Sequence, residues 1–194
     1  MVLGSNSPCH QEGSVTGKLD WRGHLGLKTV IAYPTESCFG LGCDPWAPRA
    51  VRRILQMKRR SQAKGLIVLA ATVEQLSPFV TKDSLQAAWV SGLWPGPVTL
   101  LLPASRRCPV WLRGRHNTIA VRLTGFAPAR ALCQRLGTAL VSTSANRSGQ
   151  RALRTAREVK RVFGSQVRLV SGQSGRAKRP SQIRDWVSGR MVRD

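Results

Sequence analysis

One short apolar stretch, GLIVLAA at residues 65–71, constrains the fold of this chain more than any other feature. Its length and the bounding Gly65 indicate a buried strand. Other strand-like stretches recur along the chain, and segments with helical periodicity lie between them. Strands and helices interspersed in this way predict a single α/β domain with a twisted, mixed parallel and antiparallel sheet and flanking helices.

The individual elements follow from local patterns. Strands are predicted at 29–33, 65–71, 96–104, 117–124, 139–144 and 167–172, with two final strands in 182–194. Helices are predicted at 48–60, 72–80, 83–94, 126–137 and 155–164. The stretch CFGLGCDPWAP at 38–48 is expected to be a loop, because glycine and proline punctuate it. The cations at 58–60 are expected in the last turn of their helix, where they complement its dipole.

The charge balance points to an anionic partner. Thirty-one Lys and Arg face nine Asp and Glu, which gives a net charge of +22. Such an excess attracts RNA, DNA, nucleotides or anionic membrane surfaces. The cations are spread along the chain, so a folded surface with a basic concave face is expected rather than a basic disordered tail.

The N-terminus and the cysteines bear on location. Residues 1–20 lack the apolar core of a secretory signal and are expected to be a mobile leader before a domain at 21–194. No apolar run reaches the ~18 residues of a membrane span. The five scattered cysteines form no CxxC or zinc pattern and are expected to be reduced thiols. These features predict a cytoplasmic protein without a membrane anchor.

Three stretches offer groups that could hold phosphate, although neither a P-loop nor a GxGxxG motif is present. They are YPTES at 33–37, KRRSQAK at 58–64 and STSANRSG at 142–149. Arginine supplies a fork for two oxygens, lysine a compact charge, and the small-residue loop supplies hydroxyls and amides. Taken alone, each stretch is equally consistent with a strand end, a solvated charge run or an ordinary turn.

No nucleophile–base arrangement or metal-ligand cluster is evident from the spacing of histidine, cysteine and carboxylate residues. The chemistry that remains is positioning together with stabilisation of negative charge, as in displacement at phosphate. No metal ligands are therefore assigned to protein side chains.

Six segments, in this order, resemble the YrdC family of threonylcarbamoyl-AMP synthases in its bacterial single-domain form. They are VIAYPTESCFGLGCDPW, LQMKRRSQAKGLIVLA, WPGPVTLLLP, TIAVRLT, LVSTSANRSG and RPSQIRD. The resemblance runs from about Val30 to the C-terminus and implies a YrdC-like fold with a basic concave face. It also implies formation of threonylcarbamoyl-adenylate and pyrophosphate from L-threonine, bicarbonate and ATP. The product would serve N6-threonylcarbamoyladenosine formation at position 37 of tRNA, through downstream threonylcarbamoyl-transfer proteins.

The same resemblance implies roles for particular residues. The expected ATP ligands are Lys58, Arg60, Lys64, Thr118, Ser144, Asn146 and Arg193. The expected threonine ligands are Thr35, Ser37, Arg122, Ser142 and Ser181. Charge stabilisation is expected from Lys58 and Arg60, whereas Arg59 has no counterpart role. Mg²⁺ is expected to arrive with ATP, held by phosphate oxygens and water.

A second function stays open at this point. The excess of positive charge also fits a non-catalytic protein that binds double-stranded RNA or tRNA and aids ribosomal RNA maturation. The two functions differ in what a change in the pocket does. An enzyme loses activity on loss of Arg60, whereas a binder depends on many dispersed arginines and on salt concentration.

Overall fold

The computed structural model of the protein describes residues 29–193. The leader expected at 1–20 lies outside the described residues. Within them lie nine strands, β1 Ile31–Pro34, β2 Phe39–Gly42, β3 Ile67–Ala70, β4 Val98–Pro103, β5 Thr118–Leu123, β6 Leu140–Ser144, β7 Arg168–Leu169, β8 Gln182–Asp185 and β9 Met191–Arg193. They form one mixed sheet in the order β7-β1-β2-β6-β3-β5-β4-β8-β9.

Five α-helices accompany the sheet within residues 29–193. They are α1 Pro48–Lys58, α2 Lys82–Val90, α3 Val110–Arg113, α4 Ala127–Leu136 and α5 Ala156–Phe163. None of these helices is long and apolar enough to cross a membrane. The single α/β domain with a mixed sheet and flanking helices is therefore confirmed.

Two local predictions were wrong, and one short helix was missed. The glycine-rich stretch expected to be a loop contains β2, which pairs antiparallel with β1 and β6. Its glycines serve packing, because a Cβ on Gly42 would lie 2.9 Å from the Tyr33 ring. The helix expected at 72–80 is a series of turns, and α3 was not predicted.

The helix carrying the cations ends earlier than expected. Its last residue is Lys58, and Arg59 follows in the left-handed conformation with φ 52°. The Arg60 N–H then returns to the Leu55 carbonyl at 2.9 Å. The left-handed residue turns the chain sharply away from the helix. Lys58 is buried and Arg60 is half-buried, whereas Arg59 between them is exposed.

Two cores lie on opposite faces of the sheet. The larger core packs one face against α1, α2, α3 and α5, through residues that include Ile54, Leu85 and Leu112. The smaller core packs the other face against α4, and it contains Leu132 and Leu136. Beyond α4, this second face stays half-exposed, which leaves room for a ligand on the sheet.

The register of the strands gathers polar residues on that second face. Thr118, Ala120 and Arg122 alternate along β5, and Ser142 and Ser144 alternate along β6. The pairs Ile67–Ala120 and Ile67–Ser142 place these two sets on the same side of the sheet. Across β4, the pairing continues to β8, where Ile183 lies beside Arg193 of β9.

Candidate active site

Lys58 is a buried ammonium at the end of α1. Only 3% of the residue is exposed. Its Nζ donates hydrogen bonds to the Ser144 carbonyl, to the Asn146 carbonyl at 2.9 Å and to Asn146 Oδ1 at 3.0 Å. Burial, and then the positive charge of Arg60, lower the pKa of Lys58 to about 8. The ammonium is therefore fixed against the loop that follows β6 and is largely charged at neutral pH.

Arg60 has an unused hydrogen-bond donor. Its Nη2 donates to the Gly65 carbonyl at 3.1 Å. Its Nε is buried and has no partner among the described residues. Burial also lowers the pKa of this guanidinium. A buried donor without an acceptor costs about 1–3 kcal/mol, so the arrangement favours a ligand that brings an acceptor to it.

Arg122 holds the carboxylate of the site. Its Nη2 forms an ion pair with Glu36, and its Nε donates to the Gly96 carbonyl at 2.9 Å. The hydroxyl of Thr124 lies 3.4 Å from the same Glu36 oxygen. Arg122 is a β5 residue that is 7% exposed. The guanidinium has five N–H donors, so its other donors are free to take a substrate carboxylate.

The segment carrying Glu36 is hydrogen-bonded to the glycine-rich loop that contains Gly175. The N–H of Gly175 donates to the Thr35 carbonyl at 2.8 Å, and the N–H of Ala177 donates to the Glu36 carbonyl at 3.0 Å. A Cβ on Gly175 would lie 2.4 Å from that Glu36 carbonyl. Glycine at this position therefore allows the loop to approach the segment closely.

Arg193 brings a fourth cation from the last strand. Its Nη2 donates to the Ser181 carbonyl at 2.8 Å and to Ser181 Oγ at 3.2 Å. The Ser181 hydroxyl in turn lies 3.1 Å from that of Thr99. Partial burial, and then the charges of Arg60 and Arg122, lower the pKa of Arg193. Three guanidinium groups therefore approach one another in this part of the structure.

Small hydroxyl groups line the same region. Ser142 accepts a hydrogen bond of 2.6 Å from the buried Tyr33 hydroxyl. Ser144 donates to Asn146 Oδ1 at 2.6 Å. Thr35 Oγ1 donates to the Cys38 carbonyl at 2.7 Å, and Ser37 Oγ lies 3.8 Å from Cys38 Sγ.

Most of the predicted site residues belong to this arrangement, and two lie apart from it. Lys64 is exposed in a 3-10 turn, and Thr118 lies at the start of β5 beside Pro103. Neither side chain has a described contact with the four cations. Thr118 nevertheless shares the sheet face of Arg122, four residues along the strand.

Sequence reasoning missed Glu36 and Tyr33. Both lie within the YPTES segment, but local spacing did not show that Glu36 pairs with Arg122 or that Tyr33 orients Ser142. The structure also contains, among its described residues, no group of three or more His, Cys, Asp and Glu side chains that could hold a metal ion. The four described cysteines are buried and unpaired.

Comparison with known proteins identifies the class to which this fold and site belong. The Sua5_yciO_yrdC family model, described as "Telomere recombination", matches residues 26–194. The chain therefore belongs to the Sua5/YciO/YrdC family, and the resemblance seen in the sequence is confirmed.

Two relatives share a specific name. The threonylcarbamoyl-AMP synthase of Chromobacterium violaceum is 54% identical over 165 residues, which is 84% of this chain and 86% of the relative. The threonylcarbamoyl-AMP synthase of Escherichia coli O6:H1 is 46% identical over 172 residues, which is 87% of this chain and 90% of the relative. Both names are those of an enzyme and not of an RNA-binding protein.

Solved structures share the fold. P. abyssi Sua5 complexed with L-threonine is similar with a TM-score of 0.75 and 30% identity, over 82% of this chain. The chain spans about half of that protein, because the match covers 48% of it. E. coli YciO is similar with a TM-score of 0.71 and 25% identity, over 86% of this chain and 85% of YciO.

Proposed function

We propose that this protein is a threonylcarbamoyl-AMP synthase. It forms threonylcarbamoyl-adenylate and pyrophosphate from L-threonine, bicarbonate and ATP. Relatives at 46–54% identity carry this name, and a related Sua5 has been solved with L-threonine. The single structural observation that supports the proposal most is the buried, unpartnered Nε of Arg60 beside the Lys58 ammonium. A free donor beside a second positive charge fits a polyanionic ligand.

In this proposal the ATP phosphates lie between α1 and the loop after β6. Arg60 takes phosphate oxygens, and Arg193 adds charge from β9. Lys58 stabilises the phosphates through its charge, because its three N–H donors already bond the loop after β6. Ser144 and Asn146 present polar groups that already hold the Lys58 ammonium. Lys64 and Thr118 are the remaining proposed ATP ligands, and they lie at the edge of the site. The exposed side chain of Lys64 must turn toward the phosphates to contact them.

L-Threonine binds as a zwitterion on the neighbouring part of the sheet face. Arg122 takes the carboxylate through donors that Glu36 and Gly96 leave free. Thr35, Ser37, Ser142 and Ser181 supply polar contacts around the rest of the amino acid. Burial fixes Arg122, so little conformational entropy is lost when it binds its substrate.

The chemistry then needs charge stabilisation more than proton transfer. The threonine ammonium gives up one proton to solvent, and the free amine then forms a new C–N bond with bicarbonate as water leaves. An oxygen of the resulting carbamate attacks the α-phosphorus of ATP, and pyrophosphate carries away the electron pair of the broken P–O bond. Negative charge accumulates on the phosphates, where fixed cations stabilise it. Mg²⁺ would accompany ATP through phosphate oxygens and water, since Glu36, the carboxylate described in this cluster, is paired with Arg122.

The proposed setting is tRNA modification in the cytoplasm. The product would pass to threonylcarbamoyl-transfer proteins that act on the adenosine at position 37 of tRNA. The unpaired thiols of the described cysteines are consistent with a reducing compartment.

Pyrophosphate release tests the proposal directly. Purified protein should release pyrophosphate only when L-threonine, bicarbonate and Mg-ATP are all present, and threonylcarbamoyl-AMP should appear in equal amount by mass spectrometry. Omission of L-threonine is the matched control, and it should abolish the release of pyrophosphate. Release that is absent, or that does not depend on threonine, would overturn the proposal.

A further inference from the structure

A second basic surface lies on the outside of α1, away from the residues assigned to ATP and threonine. One side of α1 is buried in the larger core through Val51, Ile54 and Leu55. The opposite side carries exposed residues at helical spacing, here called the outer arginine face. Its members are Arg49, Arg52, Arg53, Gln56 and Arg59.

A cavity of about 500 Å³ opens beside this face. Its polar lining comes from Arg53, Arg59, Arg147, Gln56 and Gln166. Its apolar lining comes from Met57 and Phe163, which lie against the core. The lining contains three cations and no carboxylate, so the cavity suits an anion that also has a flat or apolar part.

The three arginines of the cavity are exposed, and no described residue forms an ion pair or side-chain hydrogen bond with them. Elsewhere on the protein, an exposed arginine does find an acid, because Arg151 pairs with Glu158 at 2.6 Å. A cluster of arginines without acids raises the local potential and attracts anions from solution.

The cavity is built from the two segments that also form one wall of the proposed ATP site. Lys58 faces inward and the next residue, Arg59, lines the cavity. Asn146 likewise contacts Lys58 inside, and the next residue, Arg147, lines the cavity. The Ser148 N–H donates to the Lys58 carbonyl at 2.9 Å and joins the two segments. The arginines therefore sit on a fixed framework.

The length of the face favours a polymer over a single nucleotide. Arg49 and Arg59 are ten positions apart, which corresponds to about 15 Å along a helix axis. Successive phosphates of one strand advance by roughly 3.4 Å, so the face spans several of them. Arginine also stacks on bases, and the apolar floor would accept such contacts.

We propose that the outer arginine face and its cavity bind the sugar–phosphate backbone of RNA, at a place separate from the residues assigned to ATP and threonine. The choice of RNA rests on the proposed function, whose product is consumed on tRNA. The contacts are to phosphates, so they hold the RNA without reading its sequence.

The test compares two triple variants of the whole protein. R53A/R59A/R147A removes the cavity arginines, and R106A/R107A/R130A removes three exposed arginines elsewhere as a control with the same loss of charge. Binding of a fluorescently labelled tRNA transcript is measured against salt concentration. Thermal unfolding shows that both variants are folded, and an R53K/R59K/R147K variant restores charge at the cavity.

The cavity variant should weaken tRNA binding at physiological salt by about tenfold, and its plot of log K against log salt should flatten by roughly 2 units, as loss of about three phosphate contacts requires. The control should change affinity by less than about twofold, and the lysine variant should recover most of the affinity. Pyrophosphate release should be unchanged in both alanine variants. A loss of tRNA binding without a loss of pyrophosphate release tests this proposal separately from the proposed function. Equal weakening in the two alanine variants, or no tRNA binding by the unaltered protein, would overturn it.

Discussion

Two sets of cations in this protein have the same charge and different surroundings. The inner cluster consists of Lys58, Arg60, Arg122 and Arg193, which are hydrogen-bonded to backbone carbonyls or to Glu36. Lys58 and Arg122 are buried, Arg60 is half-buried, and Arg193 lies at the exposed edge. The outer arginine face is exposed and unpaired among the described residues. The inner cations have restricted positions and, for three of them, lowered pKa values. The outer ones keep their hydration.

This difference in burial and pairing shows that cations adjacent in a sequence can have different functions. A fixed, desolvated cation stabilises charge at one point, whereas a hydrated one attracts polyanions over a distance. The boundary between the two sets runs through residues 58–60. The left-handed Arg59 is the residue at which the chain turns from α1 toward the site.

The largest effect should come from Lys58→Met. This change keeps an apolar stem of similar size and removes the ammonium that holds the 144–146 loop and stabilises the phosphate charge. Hydrogen bonds to charged groups contribute about 1.5–3 kcal/mol each, so kcat/KM for ATP should fall by about 100-fold or more. Arg53→Met, on the outer face of the same helix, is the control and should leave kcat/KM unchanged. If Lys58→Met keeps more than about a tenth of the normal kcat/KM, the inner cluster and the outer arginine face do not differ in function as proposed.

The next effect separates the two substrates within the inner cluster. Arg122→Lys keeps a positive charge opposite Glu36 but loses the planar fork that suits a carboxylate. KM for threonine should rise by about tenfold, while KM for ATP should stay within about twofold. Steady-state kinetics with each substrate varied in turn measures both values. A parallel rise in both would mean that Arg122 supports the pocket as a whole and does not bind threonine.

A smaller effect should appear on raising the pH. Because the pKa of Lys58 is lowered to about 8, its ammonium loses a proton as the pH rises through that value. At saturating threonine, kcat/KM for ATP should fall by about tenfold at pH 9. Lys58→Arg should remove this part of the decline, since arginine stays charged. A decline that is identical in the variant would assign it to another group.

The same titration changes folding stability with the opposite sign. The unfolded chain holds its Lys58 proton up to a pKa near 10.5, whereas the folded chain releases it near 8. Between these values the unfolded state binds more protons, so this group raises the free energy of unfolding as the pH increases. Loss of activity above pH 8 should therefore not be accompanied by loss of structure from this cause.

Local patterns were sufficient for much of the fold. The apolar stretch at 65–71 contains the buried β3, and α5 is capped by Thr155, with a capping box, and by Gly164, as its sequence indicates. The loop expected at 38–48 was wrong because Gly40 and Gly42 also mark a close approach of Tyr33 to a strand. Composition does not distinguish a glycine needed for a turn from one needed for packing.

The candidate site was less accessible from sequence. The contact between Lys58 and Asn146 joins residues 88 positions apart, and no local spacing encodes it. The positive φ of Arg59 is also unexpected, since glycine and asparagine are the usual residues there. The resemblance to the family named most of the side chains, but Glu36 and Tyr33 emerged only when distant strands were seen to pair.

Two adjacent arginines test the central claim most directly. Pyrophosphate release dependent on threonine, bicarbonate and Mg-ATP should be measured for Arg60→Ala and Arg59→Ala under one set of conditions. We predict that Arg60→Ala lowers the rate by about 100-fold, because the buried Arg60 Nε has no acceptor within the described residues and is available to ATP. Arg59→Ala should change the rate by no more than about twofold. Equal losses at both positions would show that residues 58–60 act as a generic basic surface and would contradict the assignment of an ATP site.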